Sequence, residues 1–277
     1  MPRLCPNLFH QFTELDIRER FPAAAALGFD AVEWHFPHQL PKSDLKRLLD
    51  DNGLRFVYGV IPVDWTKGEF GLGGQPGREE EFRRAADKGL DYAAHCNFWS
   101  LQIGHGALPG GEHRQRCIET LARNLQYVCD QAKGTDLRIV IEPVATARFN
   151  IPFVLSTMEH GAQVLRLVGQ DRLRLVFDTY HLRMQEQADL TAILHAYWPL
   201  IGHVQIGNAP TRNEPGVGEI DLCWLIDQVE AKGYDGWIGL EYDPSIDTWA
   251  SLRWASRYGY PIRGRDEMSP QSPAGRA

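Results

Sequence analysis

The chain has 277 residues, of which 43% are hydrophobic and 23% are charged, an ordinary composition for a globular protein. Its formal net charge of −7 argues against a nucleic-acid-binding protein, because such proteins normally carry a basic surface. The sequence predicts a cytoplasmic protein, since it has no run of about 18 apolar residues that could span a membrane and no secretory signal at its start.

Five cysteines are scattered along the chain and form no CxxC pair. They are Cys5, Cys96, Cys117, Cys129 and Cys223. An odd number at irregular spacing is not typical of a disulfide framework or of a structural zinc site. We therefore expect reduced thiols, several of them buried.

Short apolar runs alternate with longer amphipathic segments along almost the whole chain, which predicts alternating strands and helices. The predicted strands are residues 4–9, 31–34, 55–60, 100–103, 138–142, 173–178, 203–206 and 237–241. Helical spacing is clearest at residues 44–51, 78–94, 114–132 and 222–231. The glycines that we expect at helix ends are Gly28, Gly53, Gly134, Gly169 and Gly233.

Eight βα units within about 260 residues predict an α/β fold, a (β/α)₈ TIM barrel formed by a single domain over residues 1–261. The alternative is a doubly wound open sheet, which usually has a glycine-rich turn after its first strand, and NLFHQFTE (7–14) contains none. The glycine-rich GLGGQPG (71–77) follows no strand directly and lacks the lysine of a phosphate-binding loop, so we interpret it as a mobile loop. Residues 262–277 are polar and rich in proline and glycine, which predicts a disordered tail.

Side chains with oxygen ligands close four consecutive predicted strands. They are Glu142 on the fifth strand, Asp178 on the sixth, Gln205 on the seventh and Glu241 on the eighth. Barrel enzymes place their working groups at these strand ends, so the four side chains can converge on one point. A single acid at a strand end is usually a solvated turn residue or a helix cap, but four in succession are hard to explain in that way.

A divalent cation would account for this pattern. Three carboxylates at one mouth would repel one another, and a bound cation removes that penalty. Carboxylate and amide oxygens are hard donors, so we predict that these four residues bind Mg²⁺ or Mn²⁺. Glu142 and Glu241 lie three strands apart in the ring and can flank a substrate, as enolisation next to a carbonyl requires. They are the predicted catalytic acid/base pair.

Other polar residues near the strand ends are candidates for substrate contacts. His181 follows the sixth strand and could bond a substrate oxygen, or it is an exposed histidine at a helix start. Arg212, in NAPTRNEPG (208–216), could bind an anionic group of the substrate, or it is a solvated loop residue. Lys67 and Arg78 flank the glycine-rich segment and are weaker candidates for binding an anion.

Two further features bear on the predicted pocket. His203 lies two residues before Gln205 and should point inward, either donating to a carboxylate or bonded to backbone in the core. Aromatic residues at or beyond the early strand ends could form the wall opposite the metal. They are Phe9, Trp34, Phe36, Trp65 and Phe70.

At these residues the chain resembles the hydroxypyruvate isomerase family, within the xylose-isomerase-like barrel superfamily. The matching segments are NLFHQFTE (7–14), GFDAVEWHFP (28–37), GEFGLGGQPGRE (68–79), IEPV (141–144), FDTYH (177–181), HVQIGNAPTRNEPGVGEID (203–221) and GYDGWIGLEYDP (233–244). The resemblance implies the same four metal ligands, the same two catalytic glutamates, and His181 and Arg212 as substrate contacts. It also implies an intramolecular oxidoreductase that interconverts hydroxypyruvate and tartronate semialdehyde, or isomerises a 2-oxo-tetronate. QIGHGALPGGE (102–112) departs from the family pattern, and its His105 could alter substrate preference.

Other functions stay open at this point. A ketose 3-epimerase or another sugar isomerase would use the same paired glutamates, although related epimerases usually have histidine at the position of Gln205. A metal-dependent endonuclease would require more metal ligands and a basic groove. A non-catalytic barrel would bind a metabolite without turnover. We expect a small-molecule substrate and no nucleic-acid or membrane partner, and we leave a homo-oligomer open.

Overall fold

A computed structural model describes residues 1–186 and 189–262 of the chain. The strands are β1 (Arg3–Pro6), β2 (Ala31–Glu33), β3 (Arg55–Val60), β4 (Ser100–Gln102), β5 (Arg138–Ile141), β6 (Leu173–Asp178), β7 (Ile201–Ile206) and β8 (Trp237–Leu240). The helices are α1 (Ile17–Ala26), α2 (Lys42–Asp51), α3 (Glu79–Cys96), α4 (Arg114–Gln131), α5 (Thr146–Phe149), α6 (Met158–Val168), α7 (Thr179–Glu186), α8 (Leu190–Tyr197), α9 (Leu222–Ala231) and α10 (Thr248–Ser251).

The strands form one parallel sheet in the order β1-β8-β7-β6-β5-β4-β3-β2. The sheet closes between its two ends through a parallel bridge of Asn7 with Glu33, and the Leu8 N–H donates to the Glu33 carbonyl oxygen at 2.7 Å. The predicted single-domain (β/α)₈ barrel is confirmed, and every predicted strand overlaps an observed one. The first strand ends at Pro6 and not at residue 9, because the chain turns directly after the bridge.

The longer helices cover the outside of the barrel and bury one face each. In α4 the buried positions Cys117, Leu121, Leu125 and Val128 recur at helical spacing, so one stripe of the helix faces the strands. The five glycines predicted at helix ends all have positive φ angles, which confirms the predicted turns into the following strands. This outer layer fixes where each strand ends, and hence where the functional side chains meet.

The interior of the barrel is filled by side chains. A compact apolar cluster formed by strand residues consists of Cys5, Ala31, Val57, Tyr58, Val60, Val140, Val176 and Trp237. Packing of this kind makes the barrel a solid support and not a channel. The mouth of the barrel lies above this packed interior, at the carboxyl ends of the strands.

The glycine-rich segment 71–77 is not the mobile loop that we predicted. The Gly73 and Gly74 N–H groups donate to the carbonyl oxygens of Gly104 and His105, both at 2.9 Å. Gly71 has a φ of 140°, and a Cβ there would lie 2.2 Å from the carbonyl carbon of Gly104. The segment therefore packs directly against the backbone that follows β4, which only glycine permits.

Within the described residues, none of the helices combines the length and the apolar character that a membrane crossing requires. The predicted disordered tail falls, apart from Ile262, outside the described residues. The boundary at residue 261 stays a prediction.

Candidate active site

Four buried polar side chains meet at the carboxyl ends of the strands. This group, here called the mouth cluster, consists of Glu142 after β5, Asp178 at the end of β6, His181 in α7 and Glu241 after β8. Each offers one ligand atom, and these atoms all lie within 4.8 Å of one another. The structure thus brings three of the four predicted metal ligands together, with one predicted substrate contact.

Gln205 lies beside the cluster on β7, where its Cα is in register with that of Asp178. Its amide nitrogen donates to Oε1 of Glu33 at 3.0 Å. Its amide oxygen is buried and has no hydrogen-bond partner among the described residues. The hydrogen bond to Glu33 therefore fixes which way the amide points and leaves its oxygen available as a ligand.

Two carboxylates of the cluster also leave an oxygen unbonded. Oε2 of Glu142 accepts from Gln102 Nε2 at 2.7 Å and from the Tyr58 hydroxyl at 3.3 Å. Oε1 of Glu142 and Oε2 of Glu241 are buried without a hydrogen-bond partner among the described residues. Such atoms are costly unless a ligand satisfies them. Together with the Gln205 oxygen they form a set of hard donors that fits a divalent cation.

Arg212 supplies positive charge to the same place. Its side chain is buried, and Nη2 donates to Oε1 of Glu241 and lies 3.4 Å from Oδ2 of Asp178. Nε donates to the backbone carbonyl of Glu241 at 3.1 Å. The residue predicted as a substrate clamp is thus an ion-pair partner of two cluster carboxylates, and it also lines the cavity described below.

The surroundings push the pKa values of the two glutamates apart. Burial, with the charges of Glu241 and Asp178, raises the pKa of Glu142 well above its usual value. Burial also acts on Glu241, but Arg212 and the neighbouring His35 outweigh it and hold the pKa of Glu241 well below its usual value. Burial raises the pKa of Asp178 to about 7 against the opposing charge of Arg212. One glutamate thus favours the acid form and the other the base form.

His181 is held as a neutral imidazole. Its Nδ1 accepts from the Ala145 N–H at 3.2 Å, so the proton of the ring is on Nε2. Burial lowers the pKa of His181 well below its usual value, and the charge of Arg212 acts in the same direction. Nε2 lies 3.8 Å from Oε1 of Glu142. The ring therefore presents a neutral N–H donor beside the carboxylate of Glu142.

A cavity of about 190 Å³ opens over the cluster and is lined by Glu142, His181, Arg212 and Glu241. Its aromatic wall consists of Phe9, Trp65, Phe70, Phe149 and Phe153. Three of the five aromatic residues predicted for this wall therefore line it. Phe36 packs behind, between Phe9 and Trp65, with ring centroids 5.3 and 5.5 Å away. Trp34 belongs to the core outside the barrel.

The two weaker anion candidates are engaged elsewhere. Lys67 pairs with Asp64 at 3.0 Å, and Arg78 pairs with Glu69 and Glu81 at 2.7 and 2.6 Å. Neither lines the cavity. A wider cleft of about 740 Å³ lies at the opposite end of the barrel, where β5 to β8 begin, and contains none of the predicted site residues.

Below the mouth cluster lies a second polar group, here called the inner network, which is centred on Glu33. Oε1 of Glu33 accepts from Asn7 Nδ2 and from Gln205 Nε2, both at 3.0 Å. Oε2 accepts from His203 Nε2 at 2.9 Å and lies 3.9 Å from the Cys5 sulfur. His203 thus donates to a carboxylate, as one of our two predictions had it, but to Glu33 and not to a residue of the mouth cluster.

The sequence analysis missed residues from the first four strands that also line the cavity. His10 Nδ1 lies 2.7 Å from Asp243 Oδ1, and His35 Nε2 lies 3.6 Å from Oε1 of Glu241. Gln102 ends β4 and donates to Glu142. The rule that we applied to strands five to eight would have found Gln102, which ends β4, whereas His35 lies two residues beyond the end of β2.

His105 is a backbone-binding residue in the structure. Its two ring nitrogens lie 2.9 Å from the carbonyl oxygens of Gly106 and Glu142. Burial lowers its pKa to about 4, so the ring is neutral near pH 7 and its single N–H can donate to only one of these two carbonyl oxygens. Although His105 borders the cavity, its ring nitrogens face the chain, which positions the backbone of Glu142.

Eight parallel strands with a buried acidic cluster at their carboxyl ends define a barrel of the xylose isomerase type. The chain belongs to the xylose isomerase-like TIM barrel family, whose model matches residues 21–258. It is 36% identical over 260 residues to the 2-oxo-tetronate isomerase of Cupriavidus necator, which covers 93% of this chain and 99% of that protein. It is 35% identical over 260 residues to the hydroxypyruvate isomerase of Escherichia coli, which covers 93% of this chain and 100% of that protein. A crystal structure of an AP endonuclease, family 2, from Brucella melitensis is 32% identical, with a TM-score of 0.89 over 93% of this chain and 99% of the other.

Proposed function

We propose that this protein is an aldose–ketose-type isomerase of a short α-oxo acid, interconverting hydroxypyruvate and tartronate semialdehyde or acting on a 2-oxo-tetronate. The observation that carries the proposal is the pair Glu142 and Glu241, which share one small cavity and whose pKa values are displaced in opposite directions. The relatives named for these two activities support the choice of substrate.

Glu142, Asp178, Gln205 and Glu241 would hold the divalent cation, for which the unbonded buried oxygens of this set are the support. We propose Mg²⁺ or Mn²⁺, because all four donors are oxygens. When bound, such an ion polarises a carbonyl oxygen and stabilises negative charge on it, which is worth several kcal/mol of barrier.

The two glutamates would divide the proton transfers between them. Glu241, ionised, would remove the proton from the carbon that bears the hydroxyl group, and the neighbouring carbonyl would become part of an enediol. Glu142, which favours the protonated form, would deliver a proton to the former carbonyl carbon, while the hydroxyl proton moves to the other oxygen. The isomerisation is then balanced without an external oxidant or reductant. His181 would donate its Nε2–H to a substrate oxygen.

The cavity supports a substrate of few carbon atoms. Its volume of about 190 Å³ lies below the range of about 300–1,000 Å³ that is usual for drug-sized ligands. A ketose 3-epimerase would use the same paired glutamates and is the second candidate. Nuclease activity is less well supported, because the same small cavity has an aromatic wall and the chain carries a net charge of −7.

The test is hydrogen exchange during turnover. The protein would be loaded with Mg²⁺ or Mn²⁺ and incubated in D₂O with hydroxypyruvate, a 2-oxo-tetronate and fructose-type ketoses. We expect deuterium at the carbon next to the carboxylate in the products of the α-oxo acids, loss of turnover in EDTA, and recovery when either ion is added back. Turnover of ketoses alone would favour the epimerase, and full activity in EDTA would contradict the metal assignment.

Two further proposals concern the setting of the reaction. We propose that the protein works in the cytoplasm, which is supported by five cysteines that are all free thiols, four of them buried. The small α-oxo acid is its proposed partner, and a homo-oligomer is left open.

A further inference from the structure

Two arginines line the cavity, and they differ in how many hydrogen bonds their guanidinium groups already donate to protein oxygens. Arg212 is buried and donates to Glu241 through both Nη2 and Nε. Arg148, at the end of α5, has a side chain that is 27% exposed, and its closest carboxylate oxygen is Oδ2 of Asp243 at 3.9 Å. Among the described residues, Arg148 has no hydrogen bond to a carboxylate, whereas Arg212 does. The guanidinium N–H groups of Arg148 are therefore available to donate to a ligand.

Arg148 is nevertheless held in place. Its guanidinium lies against the rings of Phe149 and Tyr180, with 5.5 and 5.4 Å to the ring centroids. The other arginine also contacts Tyr180, at 5.1 Å. Stacking of this kind orients the planar group without consuming its N–H donors. Arg148 is thus directed by aromatic contacts, while its ion pair with Asp243 is long, at 3.9 Å, and uses no hydrogen bond.

The carboxylates around the site favour a second cationic group for an anionic substrate, because Arg212 is already paired with Glu241 and Asp178. Glu142 and Glu241 line the cavity, Asp178 lies with them in the mouth cluster, and Asp243 lies 3.9 Å from Arg148. A carboxylate that enters this field is repelled unless a cation faces it. A planar guanidinium binds a carboxylate through two parallel N–H donors, so it recognises both the charge and the shape.

We infer that Arg148 binds the carboxylate of the substrate and so determines the preference for α-oxo acids over neutral hydroxy ketones. This inference rests on the proposed function and specifies where the acid group lies in the cavity. Proton transfer would occur at the glutamates of the cluster, while the carboxylate, which keeps its bonds throughout the reaction, would lie against Arg148.

The test compares a charged substrate with a neutral one of the same length. Hydroxypyruvate and dihydroxyacetone differ in that a carboxylate replaces a hydroxymethyl group, and both can be isomerised by the same proton transfer. In Arg148→Met we expect kcat/KM for hydroxypyruvate to fall by about tenfold to a hundredfold, the effect of losing a hydrogen-bonded charge. The value for dihydroxyacetone should be unchanged, and Arg148→Lys should recover part of the loss. Arg166→Met, at an exposed ion pair with Glu159, is the matched control.

Binding of pyruvate separates this inference from the proposed function. Pyruvate has the carboxylate and the oxo group but lacks the hydroxyl that isomerisation requires, so its affinity can be measured by calorimetry without turnover. If the metal-loaded wild type binds pyruvate and Arg148→Met binds it at least about tenfold more weakly, the anion site is supported even if no substrate is turned over. Equal pyruvate affinity in the two proteins, or an equal fall in kcat/KM for both substrates, would overturn the role of Arg148.

Discussion

Two buried polar groups lie one above the other in this barrel, and their carboxylates differ in how completely they are hydrogen-bonded. In the inner network, both oxygens of Glu33 accept hydrogen bonds, from Asn7, His203 and Gln205. In the mouth cluster, Glu142 and Glu241 each keep one buried oxygen without a partner among the described residues. Both groups are almost inaccessible to solvent, so burial alone does not distinguish them.

The difference separates a structural carboxylate from one that is arranged for a ligand. A buried charge whose hydrogen bonds are complete stabilises one arrangement of the core, whereas an incomplete one carries a desolvation cost that a cation or substrate can offset. Gln205 belongs to both groups, since its nitrogen binds Glu33 and its oxygen is unbonded. The inner network thus fixes the direction of the Gln205 amide oxygen beside the mouth cluster.

Glu241→Gln gives the largest expected effect. Turnover of hydroxypyruvate should fall by about 10⁴-fold, since the change removes both a base and a ligand of the proposed cation. The protein should still fold, because the glutamine oxygen can accept from Arg212 and Asp178 remains as a counter-charge. Steady-state kinetics and urea unfolding measure the two effects. Glu159→Gln, at an exposed position, is the control, and retention of more than a few per cent of activity would remove Glu241 from the reaction.

Asp178→Asn tests how much the buried charge of the mouth cluster destabilises the fold. The measured quantity is the free energy of unfolding as a function of pH. In the metal-free protein the pKa of Asp178 rises from 3.8 to about 7 on folding, so the folded state binds its proton more tightly. Stability from this group is complete below the unfolded pKa and is lost as pH rises from about 4 to about 7. The asparagine variant should therefore match the wild type near pH 4 and exceed it by up to about 4 kcal/mol near pH 8.

Unfolding by urea in EDTA measures this difference. The lowered pKa values of His105 and His181 give the opposite slope, but both histidines are present in the two proteins and cancel in the comparison. Asp235→Asn, at a side chain that is 81% exposed, is the matched control. A stability difference that does not change with pH would show that Asp178 is not strained by its surroundings.

Glu33→Gln gives the smallest of the three effects. Unlike Asp178→Asn, it should lower the stability of the fold. An amide NH₂ would face donors that now meet carboxylate oxygens, so the free energy of unfolding should fall by about 2 kcal/mol. Because Gln205 would lose its fixed orientation, the dissociation constant for Mn²⁺ should also rise by about tenfold, as measured by calorimetry. If both quantities equal those of Glu159→Gln, the inner network does not support the site.

Most of the barrel could be predicted because its signals are local. Each strand is an apolar run, and glycines such as Gly169 and Gly233 mark the turn before the next strand. The segment 71–77 was misjudged because its partner backbone, at Gly104 and His105, comes from another strand end about thirty residues later. The glycine content of the segment indicated a mobile backbone. In the structure, the same glycines allow the segment to pack closely against the backbone after β4.

The candidate site was predictable where one residue ended one strand, as at Glu142, Asp178 and Glu241. Glu33 was missed although it ends β2, because its direction depends on an irregular register between Val32 and Glu33 that the sequence does not reveal. His10 lies in the turns after β1, so no strand pattern indicates where its ring points. The roles proposed for these residues stay predictions until the variants are measured.

The backbone crossing at Gly71 has a practical consequence for redesign. Gly71 touches the chain beyond β4, and a Cβ on Gly106 would lie 2.3 Å from the Gly71 carbonyl oxygen, so neither position tolerates a side chain. The adjoining Phe70 belongs to the cavity wall and is carried by this crossing. Variant libraries intended to admit longer substrates should therefore randomise Phe70 and Trp65 and keep both glycines constant. The enlarged pocket then keeps the backbone contact that positions its wall.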